Sequence, residues 1–401
     1  MECIELQPDL VALDALLAEL PDRPAVFLLW PEQGQPYLAR TNLFRQRLGR
    51  LLGLREKASR QMSLRGVARR LEYCLTGSRL EAHFLLLELA RKYLGADYRT
   101  AIRLRLPLYV KLVLSNPFPR TQLAKRIGRA PAVYYGPFRS RASASRFESE
   151  ALDLFQLRRC EEDLIPAADH RGCIYGEMGR CLRPCQMAVG AAEYRTESER
   201  VAGFLRTDGR SLLDTAAAMR ERMSTEMDFE GAALLHQRVS KIEAVLGVRD
   251  ELARAVNNLN AIAIVPSAAP DAVELGWIRD GGWRGFTRLQ LASRDGNPVS
   301  LDARLREIAA GVTGGSIDPL IRTEQMAVLA RWFYSSWCDG ELLLAESWEK
   351  LPWRKAVNAI SRIAAGKAAA GKSAKPPSPG QSTHSAPPGS PPPPDPPRNA
   401  G

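Results

Sequence analysis

The chain has 401 residues, 45% of them hydrophobic, which is enough apolar side chains for two or three domains and excludes disorder throughout. Lys and Arg outnumber Asp and Glu by 56 to 45, so the net charge of +11 favours a polyanionic partner such as nucleic acid. Neither an apolar N-terminal segment nor an uninterrupted apolar run of about 18 residues is present. We therefore expect a cytoplasmic protein without membrane contact.

Residues 20–100 are predicted to form a small α+β module. An apolar strand over 25–29 is followed by a turn at Gly34 and a second strand around Tyr37. The apolar spacing that follows predicts helices over 43–52 and 79–93. Because the later segments also mix strands and helices, the predicted fold class of the whole chain is α+β, divided among several domains.

The next segment, 101–190, begins with strongly basic sequence. Residues 98–147 contain eleven Lys or Arg and no acid, and residues 40–70 contain ten against Glu56 alone. Such a run is often a solvated face, but fifty residues without an acid favour phosphate contact. The predicted DNA-contacting residues are Arg99, Arg103, Arg105, Lys111, Lys125, Arg126, Arg129 and Arg139.

Four of the seven cysteines fall within 26 residues, at Cys160, Cys173, Cys181 and Cys185. An odd number of cysteines in a chain with no export signal argues against a disulfide framework. Four thiolates on a loop-rich segment can instead bind Zn²⁺ or ligate a four-iron cluster, because both take four cysteines. Unrelated buried cysteines are the bland alternative, and the spacing alone does not separate iron from zinc.

The rest of the chain divides into three predicted parts. Residues 191–248 show helical spacing in two amphipathic helices hinged at 228–230. Residues 249–362 form a mixed α/β C-terminal domain that contains a β-hairpin around 280–282. Residues 363–401 are Ala/Gly/Lys-rich and then Pro-rich, and we expect a disordered tail there.

Taken in order, the sequence over about 20–300 resembles the N-terminal half of the UvrC family, the nuclease subunit of bacterial nucleotide-excision repair. The resemblance is carried by Tyr134-Tyr135-Gly136-Pro137-Phe138, by the four cysteines with their neighbours, and by Met227-Asp228-Phe229-Glu230. It implies that the cysteines hold a [4Fe–4S] cluster rather than zinc. It also implies that 191–248 contains a UVR helical hairpin binding a UvrB-type helicase through Phe229 and Arg238.

The resemblance further implies that 20–100 is a GIY-YIG nuclease module acting on damaged duplex DNA with Mg²⁺ or Mn²⁺. The family's site residues carry over to Tyr37, Arg40, Arg47 and the metal ligand Glu88. Three positions depart from the pattern: Phe27 replaces the first tyrosine, Ala39 replaces a glycine, and no asparagine occurs near 99–100. Phenylalanine keeps the ring but cannot move a proton.

Two functions remain open at this point, together with a more distant third. The first is a single metal-dependent incision by the module, and the second is a catalytically impaired DNA-binding adaptor that recruits a helicase. The third is a nucleic-acid-binding iron–sulfur redox sensor unrelated to repair. We expect no counterpart of the family's RNase H-like and helix-hairpin-helix domains in the sequence after about Gly311.

Overall fold

The computed structural model describes residues 1–6, 10–53, 63–291 and 300–366. The described chain contains three antiparallel sheets, each of four strands, covered by helices. This confirms the predicted α+β fold class. The predicted tail, 363–401, lies outside the described residues except for its first four positions. In the described ranges, no helix has the length and apolar character needed to cross a membrane.

The first sheet has the strand order β1-β4-β2-β3. Its elements are β1 (Glu2–Glu5), α1 (Leu10–Glu19), β2 (Ala25–Pro31), β3 (Tyr37–Thr41), α2 (Phe44–Leu52), β4 (Ala68–Leu75), α3 (Arg79–Tyr93) and α4 (Tyr98–Ala101). Strand β2 is apolar on both faces because α1 and α2 pack against Phe27 while α3 packs against Val26 and Leu28. The predicted strands and helices of this module are therefore present, and α3 has the predicted bounds.

The second sheet has the strand order β6-β5-β7-β8. Along the chain, a largely helical segment separates its first three strands from β8. Its elements are β5 (Leu108–Val113), β6 (Thr121–Ala124), β7 (Ala132–Phe138), α5 (Arg141–Leu152), α6 (Ile174–Glu177), α7 (Ala191–Arg206), α8 (Arg210–Thr225), α9 (Phe229–Gly247) and β8 (Arg254–Ala255). Helices α5, α7 and α9 contribute to the core on this sheet. The four-cysteine segment connects α5 to α7, with a 3₁₀ turn at Pro184–Gln186.

The third sheet has the order β11-β10-β9-β12. Its elements are β9 (Asn260–Pro266), β10 (Ala272–Arg279), β11 (Gly282–Gln290), α10 (Leu301–Gly311), α11 (Pro319–Phe333), β12 (Glu341–Ala345) and α12 (Trp353–Ala364), with 3₁₀ turns at Val256–Asn258 and Trp348–Lys350. Helix α11 covers one face, and α10 and α12 cover the other. The predicted hairpin is present, with Asp280 and Gly281 at positive φ as a tight primed turn requires.

Helix α11 also attaches this sheet to the first module. Phe84 of α3 stacks on Trp283 of β11 with ring centroids 3.8 Å apart, in a core that includes Met326 and Leu329 of α11. At the same junction Gly77 approaches the backbone of Ser267 so closely that a Cβ would lie 2.1 Å from its carbonyl carbon. The module and the third sheet are therefore in extensive apolar contact.

Candidate functional site

Two of the candidate nuclease residues meet directly. Tyr37 begins β3 and Arg47 lies ten residues later on α2, where both are half-buried. A guanidinium N–H of Arg47 donates to the Tyr37 hydroxyl at 3.1 Å. The hydrogen bond fixes a cation and a hydroxyl side by side on the α2 side of the sheet, which is a pair suited to a phosphate oxygen and a water molecule.

Phe27, at the position of the first family tyrosine, belongs to the core beneath this pair. It is fully buried, and its ring centroid lies 6.2 Å from that of Tyr37 and 5.6 Å from that of Phe44. The ring fills apolar space and offers no polar group. Any water beside Tyr37 must therefore be oriented without help from this position.

Arg40 lies on the other face of β3. Side chains alternate along a strand, so Arg40 shares its face with Leu38, which packs against α3, whereas Tyr37 and Ala39 pack toward α1 and α2. Desolvation, together with the like charges of Arg331 and Arg79, lowers the pKa of Arg40 below its ordinary value. The structure thus separates Arg40 from the Tyr37–Arg47 pair.

Glu88 is exposed on α3, the helix that covers the sheet face opposite α2. Desolvation raises the pKa of its carboxyl group, and the charge of Arg91 opposes that shift. The described residues offer it no hydrogen bond or ion pair, so its oxygens are available to a ligand. No hydrogen bond or ion pair joins Glu88 to Tyr37 or Arg47 in the described part of the chain.

Residues near the position of the expected asparagine bind a buried carboxylate. Glu324 of α11 is fully buried and accepts from Arg99 at 2.5 Å, from Arg91 at 2.7 Å and from the Tyr98 hydroxyl at 2.6 Å. Burial alone would raise the pKa of Glu324, but the hydrogen bonds from Tyr98, Arg99 and Arg91 bring it below its ordinary value. Arg99, predicted to contact DNA, is therefore held by a carboxylate.

The other predicted DNA-contacting residues fall into two groups. Arg103, Arg105, Lys125 and Arg126 are exposed, and no described carboxylate pairs with them. The remaining three interact with neighbouring side chains: Arg129 pairs with Asp318 at 2.9 Å, Lys111 lies 5.7 Å from the Tyr134 ring, and Arg139 lies 5.1 Å from the Tyr334 ring. Two arginines of the basic run, Arg99 and Arg129, are thus paired with acids that lie far away in the sequence.

The four cysteines are gathered but not tightly packed. Cys181 and Cys185 are buried, and Cys160 and Cys173 are half-buried. Burial raises the pKa of the Cys181 thiol, the backbone N–H of Arg183 opposes the shift, and the other three sulfurs add to it. Within the described ranges, no set of three or more His, Cys, Asp or Glu side chains is arranged to hold a metal ion. Metal binding would require the four side chains to draw together.

A buried cation accompanies this segment. Arg158 is only 2% exposed and forms no ion pair with a described carboxylate. Its guanidinium donates to the Cys160 sulfur at 3.4 Å and to the carbonyl oxygen of Glu162 at 2.9 Å, and the N–H of Arg183 donates to the Cys181 sulfur at 3.4 Å.

The helical hairpin exposes apolar side chains at its tip. Asp228 caps α9 by accepting from the N–H of Gly231 at 2.9 Å, and the adjoining Met227 and Phe229 are each 76% exposed. Leu234, one turn along α9, is 67% exposed. Arg238 borders a groove of about 480 Å³ between α7, α8 and α9. Large apolar side chains held in solvent mark a surface suited to a protein partner.

Comparison with known proteins identifies the central segment. The model of the UvrC/Cho excinuclease middle domain matches residues 108–204, from the start of β5 into α7 and across all four cysteines. The chain is UvrC-like. The UvrABC system protein C of Lachnospira eligens is 24% identical over 293 residues, or 72% of this chain and 48% of that protein. That of Alcanivorax borkumensis is 27% identical over 354 residues, or 86% and 56%.

A third relative, the UvrABC system protein C of Moorella thermoacetica, is 26% identical over 360 residues, or 88% of this chain and 54% of that protein. The UvrC-like chain thus spans about half the length of the curated relatives it matches. No solved structure matches it significantly. The matches bear out the predicted resemblance, whose most specific part was the cysteine segment.

Sequence analysis missed the residues through which α11 and the turn after it meet the first module. Glu324, Arg331 and Asp339 lie more than 200 positions from their partners in α3 and α4. Only the tertiary fold brings them there. Their one local signal is a largely apolar helix that carries a glutamate, and a single sequence does not distinguish that glutamate from a surface acid.

Proposed function

We propose that this chain is a nucleotide-excision-repair protein that binds damaged duplex DNA and makes a single metal-dependent incision through residues 20–100. The observation that carries the proposal is the Arg47–Tyr37 hydrogen bond, which retains two family site residues in contact. The similarity to proteins named UvrABC system protein C supports the repair role. Exposed Arg103, Arg105, Lys125 and Arg126 support DNA binding.

The side chains divide the chemistry of phosphodiester hydrolysis. Arg47 stabilises negative charge on the phosphate as the attacking oxygen adds, and Tyr37, oriented by Arg47, positions the water. Glu88 has the donor chemistry and accessibility to hold Mg²⁺ or Mn²⁺. Such an ion supplies charge neutralisation at the phosphate when bound. Arg40 is given no role in the chemical step; like Glu88, it lies on the α3 side of the sheet and not beside the Tyr37–Arg47 pair.

A second function is favoured by a specific observation. Phe27 is fully buried without a hydroxyl, and neither Arg40 nor Glu88 contacts the Tyr37–Arg47 pair in the described residues. A module in this state suits a DNA-binding adaptor that recruits a UvrB-type helicase without cutting. Under both functions the exposed hairpin tip around Phe229, with Arg238 beside it, is the proposed helicase surface.

The two functions separate in a nicking assay. Purified protein is incubated with Mn²⁺ or Mg²⁺ and a lesion-bearing duplex, with and without a UvrB-type helicase. We expect nicking by the parent protein and by Glu32→Ala, an exposed acid in the same module, and a loss of at least about 100-fold in Glu88→Ala. Binding without nicking by the parent protein would establish the adaptor. Equal nicking by Glu88→Ala would remove Glu88 from the mechanism.

We further propose that Cys160, Cys173, Cys181 and Cys185 ligate a [4Fe–4S] cluster, with Zn²⁺ as the less favoured occupant. Four thiols are the donor set that both take. The resemblance to the UvrC family favours iron over zinc. The buried, carboxylate-free Arg158 suits either centre, because it can compensate the net negative charge of four thiolates and its N–H group donates to the Cys160 sulfur.

Metal analysis of anaerobically purified protein tests the cluster. We expect iron and acid-labile sulfide in equal amounts, with a visible thiolate-to-iron absorption that is lost in Cys181→Ser and kept in Cys3→Ser, an exposed cysteine on β1. Zinc without absorption would establish the alternative occupant. A protein that contains neither iron nor zinc would contradict both assignments.

A further inference from the structure

Three arginines from three different elements converge on one histidine at the junction of the module and α11. Arg40 lies on β3, Arg79 begins α3 and Arg331 lies near the end of α11. The charges of all three act on His83 of α3 and, after desolvation, lower its pKa to about 4. None of the three guanidinium groups forms an ion pair with any carboxylate of the described residues.

His83 presents an unused hydrogen-bond acceptor at this junction. It is 9% exposed, and its Nδ1 lies 2.5 Å from the carbonyl oxygen of Arg79. A carbonyl can only accept, so Nδ1 carries the ring proton and Nε2 carries a lone pair. Nε2 is buried, and no hydrogen-bond partner for it occurs within the described part of the chain. A buried polar atom without a partner is costly and needs an explanation.

Trp337 packs against both His83 and Arg79. The His83 ring stacks on it with centroids 5.2 Å apart and an interplanar angle of 17°, and the Arg79 guanidinium lies 5.5 Å from the same ring. The indole is half-buried, while Arg40 and Arg331 remain exposed. The Arg79 guanidinium is therefore positioned by aromatic packing and not by a carboxylate.

The acids at this junction are already committed to other donors. Asp339 accepts from the backbone N–H of Arg79 at 2.6 Å and from the Trp332 indole N–H at 2.8 Å. Glu324 is bound by Arg91, Arg99 and Tyr98, as described above. Three like charges at one site repel one another unless a counter-ion joins them. Asp339 is a described carboxylate at this junction, but it pairs with none of the three guanidinium groups and can offset only one of the three positive charges.

We infer that Arg40, Arg79 and Arg331 form a phosphate-binding site, distinct from the Tyr37–Arg47 pair and on the opposite face of β3. Guanidinium groups match phosphate oxygens with paired N–H donors. The phosphate comes either from a nucleic-acid strand or from a free anion. The strand source rests on the proposed function, and the free-anion source does not.

Two probes and three variants test this site. The variants are Arg331→Gln, the double variant Arg40→Gln/Arg331→Gln, and the control Arg354→Gln, which removes one exposed charge from α12 on the opposite face of the third sheet. Calorimetry measures the affinity for pyrophosphate. Titration at several salt concentrations measures the affinity for a duplex with and without 5′-phosphates. Urea unfolding checks that each variant is folded.

We expect Arg331→Gln to weaken pyrophosphate binding roughly tenfold and the double variant to weaken it further. For a strand phosphate, Arg331→Gln also lowers the log–log salt slope of duplex binding by about 1, with Arg354→Gln unchanged.

A 5′-phosphate requirement supports a strand terminus, and a pyrophosphate effect alone supports a free anion. Variants that match Arg354→Gln with both probes overturn the inference, even if the parent protein binds and nicks DNA. Arginine-dependent pyrophosphate binding without any DNA binding leaves the site intact and removes the proposed function.

Discussion

Replacing Glu324 with alanine is expected to lower the free energy of unfolding by about 3 kcal/mol, because it removes the common acceptor of three donors. Glu324 is fully buried on α11, whereas Arg91 and Arg99 are 31% and 30% exposed. The arginines can therefore recover hydration when the carboxylate is lost. This places the cost at the lower end of the range of about 3–5 kcal/mol for breaking a buried pair.

The destabilisation should depend on pH in a definite direction. The pKa of Glu324 in the folded protein lies below its ordinary value, despite burial, because Tyr98, Arg99 and Arg91 bind the charged form. Its stabilising contribution is therefore fully present above the unfolded pKa, about 4.3, and is lost as the pH falls through the folded pKa. We expect the difference between the parent protein and Glu324→Ala to be largest near neutral pH and to shrink in acid.

Urea unfolding at pH 7 and at a series of pH values descending well below about 4.3 measures both effects. Glu307→Ala is the matched control, since Glu307 is an exposed acid on α10, and its loss should change stability by less than about 0.5 kcal/mol. Glu324→Gln keeps the volume but not the charge, so it should fall between the parent protein and Glu324→Ala. A Glu324→Ala protein as stable as Glu307→Ala would mean that the three donors are satisfied equally well by water.

The parts of the fold that the sequence predicts are those with local causes. The apolar run 25–29 predicts a buried strand, and the predicted helix start at Arg79 coincides with a side-chain cap, in which Ser78 accepts from the N–H of Glu81 at 3.1 Å. The turn at Asp280-Gly281 is equally local. These signals act within a few residues and do not depend on distant contacts.

The parts that escape prediction depend on long-range pairing. Strand β4 contains Arg69, Arg70 and Glu72. It is held as a strand by pairing with β1 and β2, and Leu71 and Tyr73 face the core that α1 and α2 cover. Residue matching places Arg40 beside the other nuclease candidates, but strand alternation sends it to the opposite face of the sheet. A motif supplies residue identities, whereas the direction of each side chain follows from the register and from the helix that covers it.

Replacing Arg47 with alanine is expected to reduce the nicking rate by about 100- to 1000-fold if the module cuts DNA. Arg47 is the only described partner of the Tyr37 hydroxyl, at 3.1 Å. Its loss removes a cationic donor to the phosphate and the group that orients Tyr37. Removing one such donor from a preorganised site typically costs a factor of this size. Arg47→Lys should fall in between, because it keeps the charge but loses the planar fork.

Single-turnover nicking with saturating protein measures the chemical step separately from binding. Arg45→Ala is the matched control: Arg45 lies on the same helix, is exposed, and donates only to the carbonyl oxygen of Ala18 at 3.3 Å. Both variants lose one positive charge, so duplex affinity should fall equally, and only Arg47→Ala should lose rate. Equal rates for the two variants would show that the Tyr37–Arg47 hydrogen bond is a packing contact, because a donor that stabilises the transition state must affect the rate when the module cuts.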